Sequence, residues 1–133
     1  MNPFRIVVTG SRDWDDRSAV IDALVRLMSL SGDQRFVIVQ GGARGADEMA
    51  LLWAINRQIP HETFEADWGR EGKSAGPKRN RRMLDAGADA VLAFPIGGPA
   101  TSPGTWDCIH AAAERGIPVR IFARSIIEGT EAA

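Results

Sequence analysis

The feature that most constrains this chain is a regular alternation between short, almost wholly apolar runs and longer segments of helical period. The apolar runs are Phe4–Thr9, Phe36–Gln40 and Asp89–Phe94, with weaker ones at His61–Ala66 and Pro118–Phe122. Runs of this length, rich in Ile and Val, predict strands buried on both faces. Between them, Val20, Ile21, Leu24, Leu27 and Met28 repeat at helical spacing behind Asp15 or Asp16, either of which can cap the helix. Ala46–Arg57 predicts a second helix. Pro77 opens a third that Gly87 closes, and Gly104–Arg115 forms a fourth. Such alternation predicts an α/β fold, a Rossmann-like three-layer sandwich around a five-stranded, mainly parallel sheet. Right-handed crossovers favour the strand order 3-2-1-4-5.

Residues 1–124 are expected to form one domain, with 125–133 as a flexible tail. A chain of 133 residues that is 44% hydrophobic can bury a core of that size. The net charge of −1 gives no global reason to expect a nucleic-acid or membrane partner. A single cysteine, Cys108, allows no internal disulfide and fits a reducing compartment. The start has no signal-peptide pattern and no run has membrane-span length, so a cytoplasmic location is expected. His61 and His110 have no partners at metal-ligand spacing, so no metal site is expected.

The unusual residues are unevenly placed. In a parallel sheet every strand-to-helix loop lies at the carboxyl edge, where open α/β sheets bind ligands. Those loops hold Gly10-Ser11-Arg12-Asp13-Trp14, Gly41-Gly42-Ala43-Arg44-Gly45, Asp67 to Gly76, and Gly97 to Thr105. The returning loops are short and plain. Glycines between strand and helix let backbone amides approach an anion, and the helix start adds unpaired N–H groups. Gly41–Gly45 is therefore a candidate phosphate loop. The alternative is a tight turn that packs the helix. Asp47 either caps or supports this loop or touches a ribose hydroxyl. Gly104-Thr105 is a second candidate anion site, facing Ser11 and Arg12 across the crevice. Trp14 is read as packing rather than as a base platform. Arg79 can reach a phosphate, whereas Lys78 and Arg82 read as a solvated basic face. Gly72-Lys73-Ser74 lacks the Walker A spacing. Its segment, with Asp67, Trp68, Arg70 and Lys73, reads as a loop over the site.

Val8–Arg12, Gly41–Asp47, Ala66-Asp67-Trp68, Gly76–Met83 and Gly104-Thr105-Trp106 together resemble the YspA (cpYpsA-related) branch of the SLOG superfamily, from about Ile6 to Phe122. The resemblance implies a Rossmann-like fold and a nucleotide or nucleotide-derived ligand as the small-molecule partner. It also suggests a homodimer and a bacterial or phage setting. More distantly, the chain is similar to the phosphoribohydrolases that activate cytokinins and to the DNA-processing protein DprA. By the first of these resemblances Arg79 matches an active-site Arg. Gly104-Thr105 matches a Gly-Thr helix start, but the catalytic Glu position is Cys108. Asp107 is one residue early, roughly 100° round a helix. The expected function is thus a nucleotide-binding or nucleotide-sensing module. The alternatives are a nucleotide N-glycosidic-bond hydrolase, with Arg79 and Asp107 (or Asp13 or Glu71) as catalytic candidates, and a DprA-like DNA-binding domain. No other cofactor is expected.

Overall fold

The computed structural model describes residues 2–32 and 34–125. The tail expected over 125–133 lies, from residue 126 onward, outside the described residues. Five strands form one sheet: β1 (Phe4–Gly10), β2 (Phe36–Gln40), β3 (His61–Thr63), β4 (Ala90–Phe94) and β5 (Val119–Ile121). Their order is β3-β2-β1-β4-β5 and every pairing is parallel, as the alternation predicts. In register, Phe4 sits opposite Phe36 and Val8 opposite Gln40, while Ile6 sits opposite Ala90 and Gly10 opposite Phe94.

Successive side chains of a strand point to opposite faces, so an all-apolar strand needs cover on both. Ile6, Val8, Ile38, Leu92 and Phe94 pack under α1 (Arg17–Leu30) and α2 (Ala46–Asn56). Val7, Val37, Val39 and Val91 pack under α4 (Ala75–Asp85) and α5 (Pro103–Glu114) with Met83, Leu84 and Ala111. Each fully buried Ile, Leu, Val or Phe contributes about 1.5–3 kcal/mol. Asp16, one of the two predicted caps, starts α1: its Oδ1 accepts from the Ala19 amide at 3.1 Å. Trp14 is buried, lies 5.3 Å from the Phe94 ring and donates to the Asp16 carbonyl.

Two stretches differ from the reading by pattern. The third strand ends at Thr63 instead of reaching Ala66. The Phe64 amide still donates to Gln40, but its carbonyl leaves the sheet and accepts from Arg79. The predicted loop over Asp67–Gly76 holds a short helix, α3 (Trp68–Glu71), and a 3-10 turn, Gly72–Ser74, that runs into α4. Asp67 caps α3, its Oδ1 accepting from the Arg70 amide at 3.1 Å. Helix α4 therefore starts at Ala75, two residues before Pro77.

Candidate functional site

The strand order reverses between β1 and β4, and the loops on either side part there. A cleft of about 620 Å³ opens at that point, within the range typical of small-molecule sites. The β1 loop supplies Gly10, Ser11, Arg12 and Asp13, and the β2 loop with the start of α2 supplies Ala43, Arg44 and Asp47. Trp68, Lys73 and Arg79 form the third side. Gly104, Thr105 and Asp107 at the start of α5 form the fourth. Gly41, Gly42 and Gly45 do not line the cleft.

The polar bonds of the β2 loop explain that. Asp47, second in α2 and almost fully buried, turns its carboxylate back onto the loop. Its Oδ2 accepts from the Gly41 amide at 3.0 Å and the Ala43 amide at 3.3 Å. The Gly42 amide donates to Gln40 Oε1 at 2.6 Å, and Gln40 Nε2 donates to Thr63. The nest of amides that reads as a phosphate cradle thus holds the chain's own carboxylate. Gly41 is needed for another reason: a Cβ there would lie 2.2 Å from Arg79 Nη1. Gly45 has φ +87°, and its Cβ would lie 2.3 Å from the Ser11 carbonyl oxygen. Gly41→Ala is expected to cost about 1–2 kcal/mol in urea unfolding, because Arg79 is pinned and cannot simply swing away.

Arg79 is fixed from three directions. Its Nη1 donates to the carbonyls of Gly41 and Phe64, and its Nε donates to Asn80 Oδ1 at 2.9 Å. Among the described residues its Nη2 has no acceptor. Asn80, also buried, donates through Nδ2 to the Gly104 carbonyl at 3.1 Å and to Asp107 Oδ2 at 3.0 Å. Arg81 grips both oxygens of Asp107. This network ties the β2 loop to the start of α5 and sets the spacing of the cleft's walls.

At α5 the residue placed to cap the helix is engaged elsewhere. Ser102 Oγ donates to the Ile96 carbonyl at 2.7 Å and accepts from the Ile96 amide at 3.1 Å. The first α5 amide with an acceptor in this turn is that of Trp106, which donates to Ser102. The amides of Gly104 and Thr105 therefore have no partner among the described residues, and helix starts left this way favour anions. Arg12 and Lys73 face the same cleft without a salt-bridge partner among the described residues. Arg44 lies 3.7 Å from Asp13 at the exposed rim.

Two buried titratable groups are strongly perturbed, Asp47 in the cleft wall and Cys108 in the core. Burial pushes the Asp47 carboxyl up to about 6, against the pull of Arg79, the Ala43 and Gly41 amides and Arg12. Burial, with the nearby Asp47 charge, pushes the Cys108 thiol up to about 12, so it is a neutral group of the core and not a nucleophile. The basic face of α4 is largely paired: Lys78 and Arg82 lie 3.9 and 3.7 Å from Glu71, and Arg81 holds Asp107. Sequence reading undervalued Asn80 and Trp68. Asn80 lies unmarked within Gly76–Met83 and Trp68 reads as part of a loop, whereas their contacts with Gly104, Asp107 and Arg12 reveal their place.

The model of the YspA, cpYpsA-related SLOG family matches residues 4–70, which carry β1, β2, β3 and the loops between them. The chain belongs to that family. The Gene 61 protein of Mycobacterium phage D29 is similar to this SLOG protein throughout, at 45% identity over 123 residues, 89% of this chain and 95% of that one. Among solved structures, TM1055 aligns with a TM-score of 0.62 over 87% of this chain and 72% of its own, at 19% identity. That likeness shows a shared fold. Among the described residues no helix of the SLOG domain is long and apolar enough to cross a membrane.

Proposed function

We propose that this SLOG protein binds a nucleotide or nucleotide-derived ligand in the cleft, phosphate toward the start of α5, as a sensor or binding module. One observation carries the reading: unbonded donors from distant parts of the chain face one hollow. They are the Gly104 and Thr105 amides and the outer edge of the Arg79 guanidinium, with Arg12 and Lys73 adding positive charge. A phosphate monoester offers acceptors for all of them. Ser11, Ala43 and Arg44 serve as further wall contacts. Gly41, Gly42 and Gly45 act indirectly, by shaping the loop that holds Arg79 and Asp47. Native mass spectrometry of the purified protein is expected to show a co-purifying nucleotide. Calorimetry with nucleoside monophosphates is expected to show saturable binding, and no binding by any of them would reject the reading.

A second reading, hydrolysis of a nucleotide's N-glycosidic bond, is favoured by Asp47. Asp107 is clamped by Arg81 and Asn80, Asp13 lies exposed at the rim, and Glu71 is not in the cleft wall. Asp47 is a buried carboxyl in that wall whose Oδ1 has no partner among the described residues. It is suited to take a proton from water attacking C1′ while the base leaves with the bonding pair. Release of free base during incubation, lost in Asp47→Asn, would favour hydrolysis; binding without turnover favours the sensor. No geometry favours the DprA-like reading. A homodimer through the outer faces of α1 and α2, where Val25, Leu52 and Ile55 are exposed, is part of the proposal, and sedimentation velocity tests it.

A further inference from the structure

We propose that Trp68 is a stacking platform for a flat heteroaromatic ring, with Arg12 as the opposite jaw. The cleft would then select an aromatic group joined to an anion over a sugar phosphate alone. This inference rests on the ligand reading above and names the part of the ligand that the phosphate contacts leave unread.

The four tryptophans have different surroundings. Trp14 and Trp53 are 5% and 6% exposed, and the Trp106 indole N–H donates to the Gly97 carbonyl at 2.9 Å. Trp68 is 49% exposed and lines the cleft. Its ring rests on the backbone at Gly76, where a Cβ would come within 3.1 Å of the ring. The indole is thus supported by α4 while much of its surface stays open. A large aromatic surface left open inside a cleft, rather than on a convex face, suits a ligand ring.

The other jaw is Arg12. Its guanidinium carbon lies 5.6 Å from the Trp68 ring centre, within cation–π range. A ring sandwiched between the two needs two gaps of about 3.5 Å, so about 7 Å in all. Arg12 therefore has to retreat by about 1.5 Å, which a long, exposed side chain without a salt-bridge partner can do. Arg12 then covers the far side of the ring and keeps its charge near the phosphate.

The test compares AMP with ribose 5-phosphate, which keeps the sugar phosphate and lacks the base. Wild-type protein is expected to bind AMP more tightly. Trp68→Ala is expected to weaken AMP binding about 10- to 100-fold and to leave ribose 5-phosphate within about twofold, which also reports that the variant is folded. Trp68→Phe is expected to retain most of the AMP affinity. Equal losses for both ligands, or no loss for AMP, would overturn the inference. Wild-type protein that binds both ligands equally overturns the stacking claim and leaves the phosphate reading standing. Wild-type protein that binds neither overturns both.

Discussion

At pH 8, Asp47→Asn is expected to raise the unfolding temperature by roughly 5–10 °C, with the gap nearly closed at pH 4. Asp47 is 4% exposed, and its carboxyl is pushed from 3.8 in the ordinary case to about 6 in the fold, mainly by burial. A folded value above the unfolded one means the native state holds the proton more tightly. Stability therefore falls as pH rises from about 4 to about 6, and the full penalty applies above that. The size of the shift corresponds to about 3 kcal/mol. Asparagine removes the charge and keeps a carbonyl oxygen for the Gly41 and Ala43 amides, so most of that penalty should vanish. Its new amide hydrogens fall on the cleft side, where Oδ1 has no partner among the described residues. Thermal melts of both proteins across pH 4–8 check this. A variant that melts lower than wild type at pH 8 would show that the Arg79 attraction outweighs burial.

The other large effect is expected at Arg79. Arg79→Ala should weaken nucleoside monophosphate binding by about 10- to 150-fold, the range for charge-assisted bonds of about 1.5–3 kcal/mol. The same change leaves the Gly41 and Phe64 carbonyls without their donor and removes the cation that acts most strongly on Asp47. A stability loss of about 1–3 kcal/mol should accompany the affinity loss. Arg79→Lys separates the two effects, because an ammonium can satisfy a carbonyl but cannot span Gly41, Phe64 and a phosphate at once. It should restore part of the stability and little of the affinity. Calorimetry on samples verified as folded by circular dichroism reads both quantities.

The fold was legible because its signals are local and repeated. Apolar strands such as Phe36–Gln40 can be satisfied only in a sheet covered on both faces, and right-handed crossovers then leave few orders. The stretch 67–76 was less legible. Its helix is one turn long, fixed by the Asp67 cap and by Trp68 packing on Gly76, and neither produces periodicity. At the site, the loops named from sequence meet at one cleft, and the amides of one of them hold an internal carboxylate. The glycines at 41–45 form an amide nest, yet Asp47 fills it from within, and spacing alone could not distinguish an internal carboxylate from an external phosphate. At α5 the sequence showed a helix start at Pro103-Gly104-Thr105. It did not show that Ser102, the natural cap, is bound to Ile96 and leaves two amides open. The joining of Arg79 to Asp107 by Asn80 was not legible, because it depends on residues 24 and 27 positions away.

The central claim is that one hollow at the carboxyl edge holds the anionic ligand, and a backbone NMR titration of the intact protein with AMP tests it most directly. Saturable shifts should be largest at the amides of Gly104, Thr105 and Ser11, with the Arg79 Nε signal moving in step. Shifts confined to the outer faces of α1 and α2, or no saturable shift at millimolar AMP, would contradict it.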